Sequence, residues 1–562
     1  MTANTSWEGG HEANDTAGCE LPLLDPWHPD ILDFVSYMPS TECASHQKSL
    51  LSTSQDRLNL NLTALAEINL TRSELLCAFS YVTTDQVLLP AEQLEGDESV
   101  LSPDHNSVAV KCAVNGTTVY QNVLLYLPSP KPSRDARKKY SVTLFIIESM
   151  SQMNLVRSLP RTLATVEELG GILFKGHHKV GENTCPNMEV IHKGDMFNAY
   201  HDNGWFTFFF EDAQIWGTSL KYRAKLDLKY HHHYKALHQA GERLRSNNLA
   251  RWLQLNEEFT KTETYRCQQE QLVFKYQFSL IQDFHETYRD RRTFTQIHLL
   301  EGTHDDLNFA KYYDRDMNKM VRDLADSGAL NDTFFLIMGD HGFGGWMFRA
   351  RRQGHIESTM PGLLLLPPPS LATDHPEMVA ALRENSELLT THHDLNMMLG
   401  HILALSTDQK EEKLFPRHHA ARRGTSLLRP VGKRTCSEAG VPLEYCSCQE
   451  GRVALMPEAV AGLARAALRD MDTFLEGLWG CLPLQLDRVV EAHTRTEDGA
   501  TMLETKVIVV PSSAIFLIRM FPNRTEDTVN VTASFTRLDK YKPTSLCVPP
   551  QDARAKPFCI CP

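Results

Sequence analysis

From Tyr140 onward the chain alternates short, strongly apolar runs with longer segments whose apolar residues recur at helical spacing, the rhythm of an α/β sheet. Four runs read as strands: Ser141–Ile147, Thr293–Leu300, Thr333–Met338 and Gly362–Leu366. The fold class expected is therefore α/β, with a mostly parallel central sheet flanked by helices. The first three runs lead into polar residues. Glu148 follows the first, His304 lies just past the second, and Asp340 with His341 follows the third. In open α/β sheets ligands bind beyond the carboxyl ends of the strands, so the pattern brings these distant residues to one crevice. This unit is placed at 139–410. Before it, residues 1–138 mix short apolar runs, such as Val119–Leu127, with turn residues and cysteines, ending in a Pro-rich basic linker, Pro128–Lys139. After it, 411–562 opens with a basic stretch, Lys413–Arg434, read as exposed. A cysteine-rich α+β domain follows, with an amphipathic helix, Pro457–Leu478, and strands at Thr505–Val510, Ala514–Met520 and Thr528–Thr536.

Composition narrows the partners. The formal charge of -13, with no long run of either sign, argues against nucleic acid. Thirteen cysteines fall mostly in the flanking regions, and their C-x-C spacings lack the C-x2-C pairs of common zinc modules, so disulfides are expected. Eight N-x-S/T sequons, at Asn4, Asn14, Asn61, Asn69, Asn115, Asn331, Asn523 and Asn530, point the same way. Asn331 precedes a strand and so sits at the edge of the sheet opposite the crevice. Against this, the N-terminus has no apolar leader core, and no run of about 18 apolar residues occurs. The expected location is extracellular or the secretory-pathway lumen, with an anchor and membrane proximity in a longer form. Nothing in the pattern specifies an oligomer.

Two local motifs carry chemistry. Ile337-Met338-Gly339-Asp340-His341-Gly342 delivers an acid and an imidazole together at a strand exit, with glycines giving backbone freedom; the pair suits a divalent ion, though Asp340 could equally cap the following segment. Gly181-Glu182-Asn183-Thr184-Cys185-Pro186-Asn187 reads as a helix start, where a hydroxyl meets the positive end of the helix dipole and a phosphate or sulfate is favoured. A plain cap at Thr184 is the other reading.

Together with Phe145-Ile146-Ile147-Glu148-Ser149-Met150-Ser151, these motifs resemble the alkaline phosphatase and sulfatase superfamily, and more closely its metazoan sulfatase-like family DUF229. Cys436-Ser437-Glu438-Ala439-Gly440-Val441-Pro442, with Cys446-Ser447-Cys448 after it, is similar to that family's cysteine-rich tail. The resemblance implies an alkaline-phosphatase-like core in which Glu148, Thr184, Asp340 and His341 surround one divalent cation, Mn, Mg or Zn, with Thr184 as nucleophile. A second ion would need ligands for which Asp305, Asp306 and His355 are the nearest candidates, but their spacing does not match the D-x3-H pattern of two-metal relatives. Glu148 stands where many relatives carry Asp; Glu there is similar to the lipoteichoic acid synthases and phosphoethanolamine transferases, which also use a threonine.

By the same resemblance His304 is expected to touch the substrate or leaving group and act as general acid. His355 lies where sulfatases place a substrate-binding Lys; it and Arg349, with Arg351 and Arg352, are expected to bind an anionic substrate, an exposed basic loop being the equal alternative. Glu211 and Asp212 are expected to support the site. Cys185 lacks the C-x-P-x-R context of formylglycine sulfatases, having Met188 and Glu189 where Arg would follow. The run His231-His232-His233 reads as a solvated segment rather than a metal site, because consecutive side chains diverge. The implied function is metal-dependent hydrolysis or transfer of phosphate esters on an extracellular or lumenal glycan or lipid, through a covalent phosphothreonine. Sulfuric ester hydrolysis and a catalytically silent, binding ectodomain are the alternatives.

Overall fold

A computed structural model of the chain describes residues 18–37, 48–82, 89–128, 140–211, 232–235, 267–268, 271–300, 302–407, 409–415, 423–449, 451–476, 480–497, 500–524, 529–539, 544–549, 552 and 555–562. Its centre is a seven-stranded sheet built from β1 (Ser141–Ile147), β2 (Ile172–Leu173), β3 (Phe206–Glu211), β4 (His232–Lys235), β5 (Thr293–Leu299), β6 (Thr333–Met338) and β7 (Leu363–Leu366), in the order β4-β3-β5-β1-β6-β7-β2. The first five in that order run parallel, and β7 and then β2 each join antiparallel to their neighbour. This is the expected α/β class, and the four strands read from the pattern lie within one residue of their observed ends.

Every residue of β1 is buried, which a strand covered on both faces requires. Its odd-numbered apolar side chains, Phe145 and Ile147, pack with Phe278 and Phe284 of α2 (Val273–Thr287) and Met317 and Val321 of α3 (Asp314–Asp326). The even-numbered ones, Leu144 and Ile146, pack on the other face with Met188 and Ile191 of α1 (Thr184–Ile191) and Leu395 and Leu399 of α5 (His392–Thr407). The period of two thus assigns each residue of the sheet to one of two cores.

Two small antiparallel sheets precede the core, and Cys77 and Cys112, directly opposite in one of them, form a disulfide. At the other end, a five-stranded antiparallel sheet of β8 (Val453–Leu455), β9 (Gln485–Glu497), β10 (Ala500–Val510), β11 (Ala514–Arg524) and β12 (Val529–Arg537) packs on the amphipathic helix α6 (Pro457–Leu475). Disulfides Cys481–Cys559 and Cys547–Cys561 close this part, Cys436–Cys446 lies ahead of it, and Cys19–Cys448 ties the start of the described chain to the cysteine-rich tail. No described helix is long and apolar enough to cross a membrane.

Two expectations need correction or restriction. The stretch Lys413–Arg434 is not simply exposed: Phe415, Leu427 and Leu428 are buried in the core beneath α5. Arg434 is buried too, because Asp394 in the first turn of α5 supplies its counter-charge; its Nη1 donates to Asp394 Oδ1 at 3.1 Å. Most of the linker Pro128–Lys139, the sequons Asn4 and Asn14, Asp212 and His231 lie outside the described residues.

Candidate metal centre

The register of the parallel strands sets the site. Glu211, His298, Ile146 and Met338 lie side by side across β3, β5, β1 and β6. Carrying the alternation two residues on from Ile146 and Met338 brings Glu148 and Asp340 to the same face, the one covered by α1. Thr184 opens that helix, whose Met188 and Ile191 anchor it in the core, and Pro186 is tolerated there because first-turn amides need no intrahelical partner. Thr184 Oγ1 donates to Glu148 Oε1 at 2.7 Å and lies 3.4 Å from His341 Nε2.

The glycines flanking Asp340-His341 serve close approach rather than an unusual backbone angle. A Cβ on Gly339 would sit 2.0 Å from Met150 O, and one on Gly342 2.0 Å from Glu357 O. The strained residue is instead Ser149, at φ 60°, which turns its amide to donate to Asp340 Oδ1 at 3.0 Å. Beneath this loop Arg157 and Glu357 form a buried two-pronged pair, and Ser151 Oγ also donates to Glu357.

The residues fit a divalent ion. Glu148, Asp340 and His341 offer ligand atoms within 4.8 Å of one another, all buried. His341 Nδ1–H donates to Gly342 O at 2.7 Å, so Nε2 is the ring atom that can bind a metal once its own proton is displaced. That Nε2 faces Thr184 Oγ1, Glu148 Oε1 at 3.4 Å and Asp340 Oδ2 at 3.3 Å. Asp340 Oδ2 is buried and accepts no hydrogen bond among the described residues. A second carboxylate beside an unsatisfied one is costly without a cation. The protein's own charges show the strain: burial and the neighbouring Glu148 raise the pKa of Asp340, while burial is outweighed for His341, which Asp340 and Glu148 hold up at about 9. Glu148 stays well below the usual carboxylate range because hydrogen bonds from His298 and His341 overcome its burial. The other described groups with ligating spacing are cysteine trios, Cys436 with Cys446 and Cys448 and Cys481 with Cys547 and Cys559, whose members are tied in disulfides.

The model of the family "Protein of unknown function (DUF229)" matches residues 36–196 and 194–490, most of the chain. The chain belongs to the DUF229 family. No curated protein matches it. Among solved structures it is similar to a lipoteichoic acid synthase from Listeria monocytogenes, at 13% identity and a TM-score of 0.32 over 53% of this chain and 77% of that one. It is likewise similar to a phosphonate monoester hydrolase of Agrobacterium radiobacter, at 10% identity and a TM-score of 0.36 over 71% and 89%. At such scores the overlaps carry no weight for activity, which has to be read from the residues of this DUF229 chain.

The remaining expected site residues are spread out. His304 lies on the loop after β5 with its ring 64% exposed, hydrogen-bonded to Asp305 at 2.7 Å. Arg349 Nη1 donates to Glu182 Oε1 at 2.8 Å and so reaches the loop that carries Thr184. His355, on α4 (Arg352–Thr359), meets Arg519 of β11 at 3.3 Å rather than the Glu148 cluster, so it belongs to a contact between the core and the C-terminal sheet. Glu211 is buried in register with His298, where its charge helps hold that ring's proton.

Two residues escaped the sequence reading. His298 Nε2 donates to Glu148 Oε2 at 3.1 Å and leaves Oε1 to Thr184; burial opposes its protonation, but Glu148 raises its pKa nonetheless. A histidine two residues after Gln296 on the even face of the fully buried β5 was the available signal. Lys179 is buried, pulled down to about 8 by that burial against the pull of Glu182, and its Nζ donates to Glu182 O at 3.1 Å. Behind Asp340 runs a neutral histidine relay. His392 Nε2 donates to Asp340 O at 2.8 Å and its Nδ1 accepts from His177 Nε2 at 3.1 Å. Burial depresses both rings, His392 to about 4.

Proposed function

We propose that this DUF229 chain is a metal-dependent hydrolase or transferase of phosphate esters, acting through a covalent phosphothreonine at Thr184 on an anionic ester of an extracellular or lumenal glycan or lipid. The observation that carries this is the hydroxyl of Thr184, at the start of α1, hydrogen-bonded to Glu148 and facing His341 beside the under-coordinated Asp340. The likeness of the three motifs to the alkaline phosphatase and sulfatase superfamily supports the same reading.

A divalent ion held by Glu148, Asp340, His341 and Thr184 would lower the pKa of the hydroxyl and stabilise charge on the nonbridging phosphoryl oxygens. Glu148 Oε1 already accepts the hydrogen bond of the Thr184 proton, and His298 fixes that carboxylate through its other oxygen. The first-turn amides of Thr184 and Cys185, at the positive end of α1, would add to the stabilisation of the phosphoryl oxygens. Thr184 Oγ1 loses its proton to solvent by way of Glu148 Oε1 and forms a bond to phosphorus as the ester oxygen leaves in line, and His304 supplies the leaving group's proton. Water completes hydrolysis by displacing Thr184 from phosphorus, or an acceptor alcohol completes transfer.

An oxidising compartment agrees with the five described disulfides, and the sequon residues Asn61, Asn69, Asn115 and Asn331 are exposed. Purified protein loaded with Mn, Mg or Zn should cleave nitrophenyl phosphate or its diester, and Thr184→Ala should abolish this. Equal activity in the variant sinks the assignment. A preparation that holds no stoichiometric ion, and whose thermal midpoint no divalent metal moves, would favour a binding role instead.

A further inference from the structure

Where α4 and the loop before it meet the C-terminal sheet lies a small cleft, a cavity of about 30 Å³, lined by six arginines and one lysine but only two carboxylates, Glu491 and Glu504. The carboxylates are already engaged. Glu504 accepts from Arg519 Nε at 2.8 Å and from His493 Nε2 at 2.8 Å, and Glu491 stands 3.9 Å from Lys506. Arg352 and Arg452 have no ion-pair partner within 4.0 Å among the described residues.

The histidines do not supply the missing anion or relieve the excess. Arg519 can only donate, so His355 Nε2 accepts from it and His355 Nδ1 carries the proton. That Nδ1–H is buried without a partner among the described residues, as is Nε of Arg349. Burial, then Arg519 and Arg349, depress His355 to about 3, and burial followed by Arg352 depresses Arg452 to about 10. Arg495, 3% exposed, and Arg519, 2% exposed, bring two guanidinium charges inside the protein, and the one carboxylate of Glu504 serves both, where buried charge in excess of its counter-charge is costly. Orphaned donors within a surplus of guanidinium groups match one ligand chemistry, the tetrahedral oxyanion of a phosphate or sulfate group, which arginine grips with two parallel hydrogen bonds.

Arg349 connects this cleft to the candidate metal centre. It lines the cleft while its Nη1 binds Glu182, two residues before Thr184, and Lys179 Nζ stands 3.7 Å from the same Glu182 carboxylate. We propose that the cleft binds a second phosphate or sulfate group borne on the same glycan as the reacting ester, so that the substrate is a polyanionic chain laid from the Thr184 loop to the C-terminal sheet. This rests on the reading of the Thr184 centre as an ester-cleaving site. The residues that select the substrate then come from two distant parts of the chain, α4 with its preceding loop and strands β9 to β11.

The test uses the full chain stripped of metal with EDTA, so that the metal centre contributes nothing to binding. Probes are a sulfated glycosaminoglycan tetrasaccharide, its desulfated counterpart and inorganic sulfate, followed by calorimetry. Arg351 and Arg352 are exposed, so Arg351→Glu with Arg352→Glu is expected to fold, as circular dichroism would verify. The proposal expects the sulfated probe to bind, the double variant to weaken it at least about tenfold, and the other two probes to bind far more weakly. Undiminished binding in the variant, or equal binding of the desulfated probe, overturns it. Inorganic sulfate binding as tightly as the oligosaccharide overturns the chain-borne source. Nitrophenyl phosphate hydrolysis by the metal-loaded protein reads the two ideas apart: hydrolysis with charge-independent glycan binding removes the cleft alone, and charge-dependent binding without hydrolysis removes the catalytic reading.

Discussion

A metal that binds through His341 Nε2 must displace the proton that Asp340 and Glu148 hold on that ring up to a pKa of about 9. The sign follows directly. Below this pKa the imidazole is protonated, so affinity falls as pH falls, by about tenfold per unit for one displaced proton. Between pH 6.5 and 8.5 the association constant should therefore rise roughly a hundredfold, whereas a ring of ordinary pKa near 6.5 would leave it almost flat. Titration calorimetry with Mn²⁺ in buffers of different ionisation enthalpy measures both quantities, and at pH 7 it should also register about one proton released per ion. His341→Gln should bind more weakly and lose the slope. An affinity that levels off by pH 7 in the parent protein would refute the assignment of His341 as a ligand enclosed by two carboxylates.

Three further outcomes test the supports of the site. His298→Ala removes the donor to Glu148 Oε2, and Mn²⁺ affinity should fall about 10- to 100-fold, as for other losses of a group that orients a ligand. Arg157→Met strands the fully buried Glu357, and denaturant titration should find the protein less stable by about 3–5 kcal/mol. Gly339→Ala brings a Cβ to 2.0 Å from Met150 O and should abolish stoichiometric metal in elemental analysis, while Gly344→Ala, with nothing within 4 Å, should bind metal as the parent does.

The legible part of the site is the part that strand ends display. Glu148, Asp340 and His341 each follow a run of apolar residues, so the pattern that makes the strand also announces the exit where they stand. Thr184 was readable because Pro186 marks a helix start. His298 was not, since it lies within β5, and only the pairing of His298 with Ile146 shows that it shares a face with Glu148. His355 is expected at the substrate because the resemblance puts it where sulfatases place a substrate-binding Lys. Its helix instead presents it to Arg519, more than 160 residues later, through a contact that no local spacing encodes. The same long-range contact hid the basic cleft. Lys413–Arg434 was misread because its charges dominate the composition, whereas Leu427, Leu428 and the Asp394 partner of Arg434 decide its burial.

The central claim is that Thr184 carries the phosphoryl group. Metal-loaded protein mixed with nitrophenyl phosphate, quenched in acid and digested should yield a peptide containing Thr184 with the mass of one added phosphoryl group, absent from Thr184→Ala. Turnover that proceeds in Thr184→Ala, or a phosphoryl group found on another residue, would contradict it.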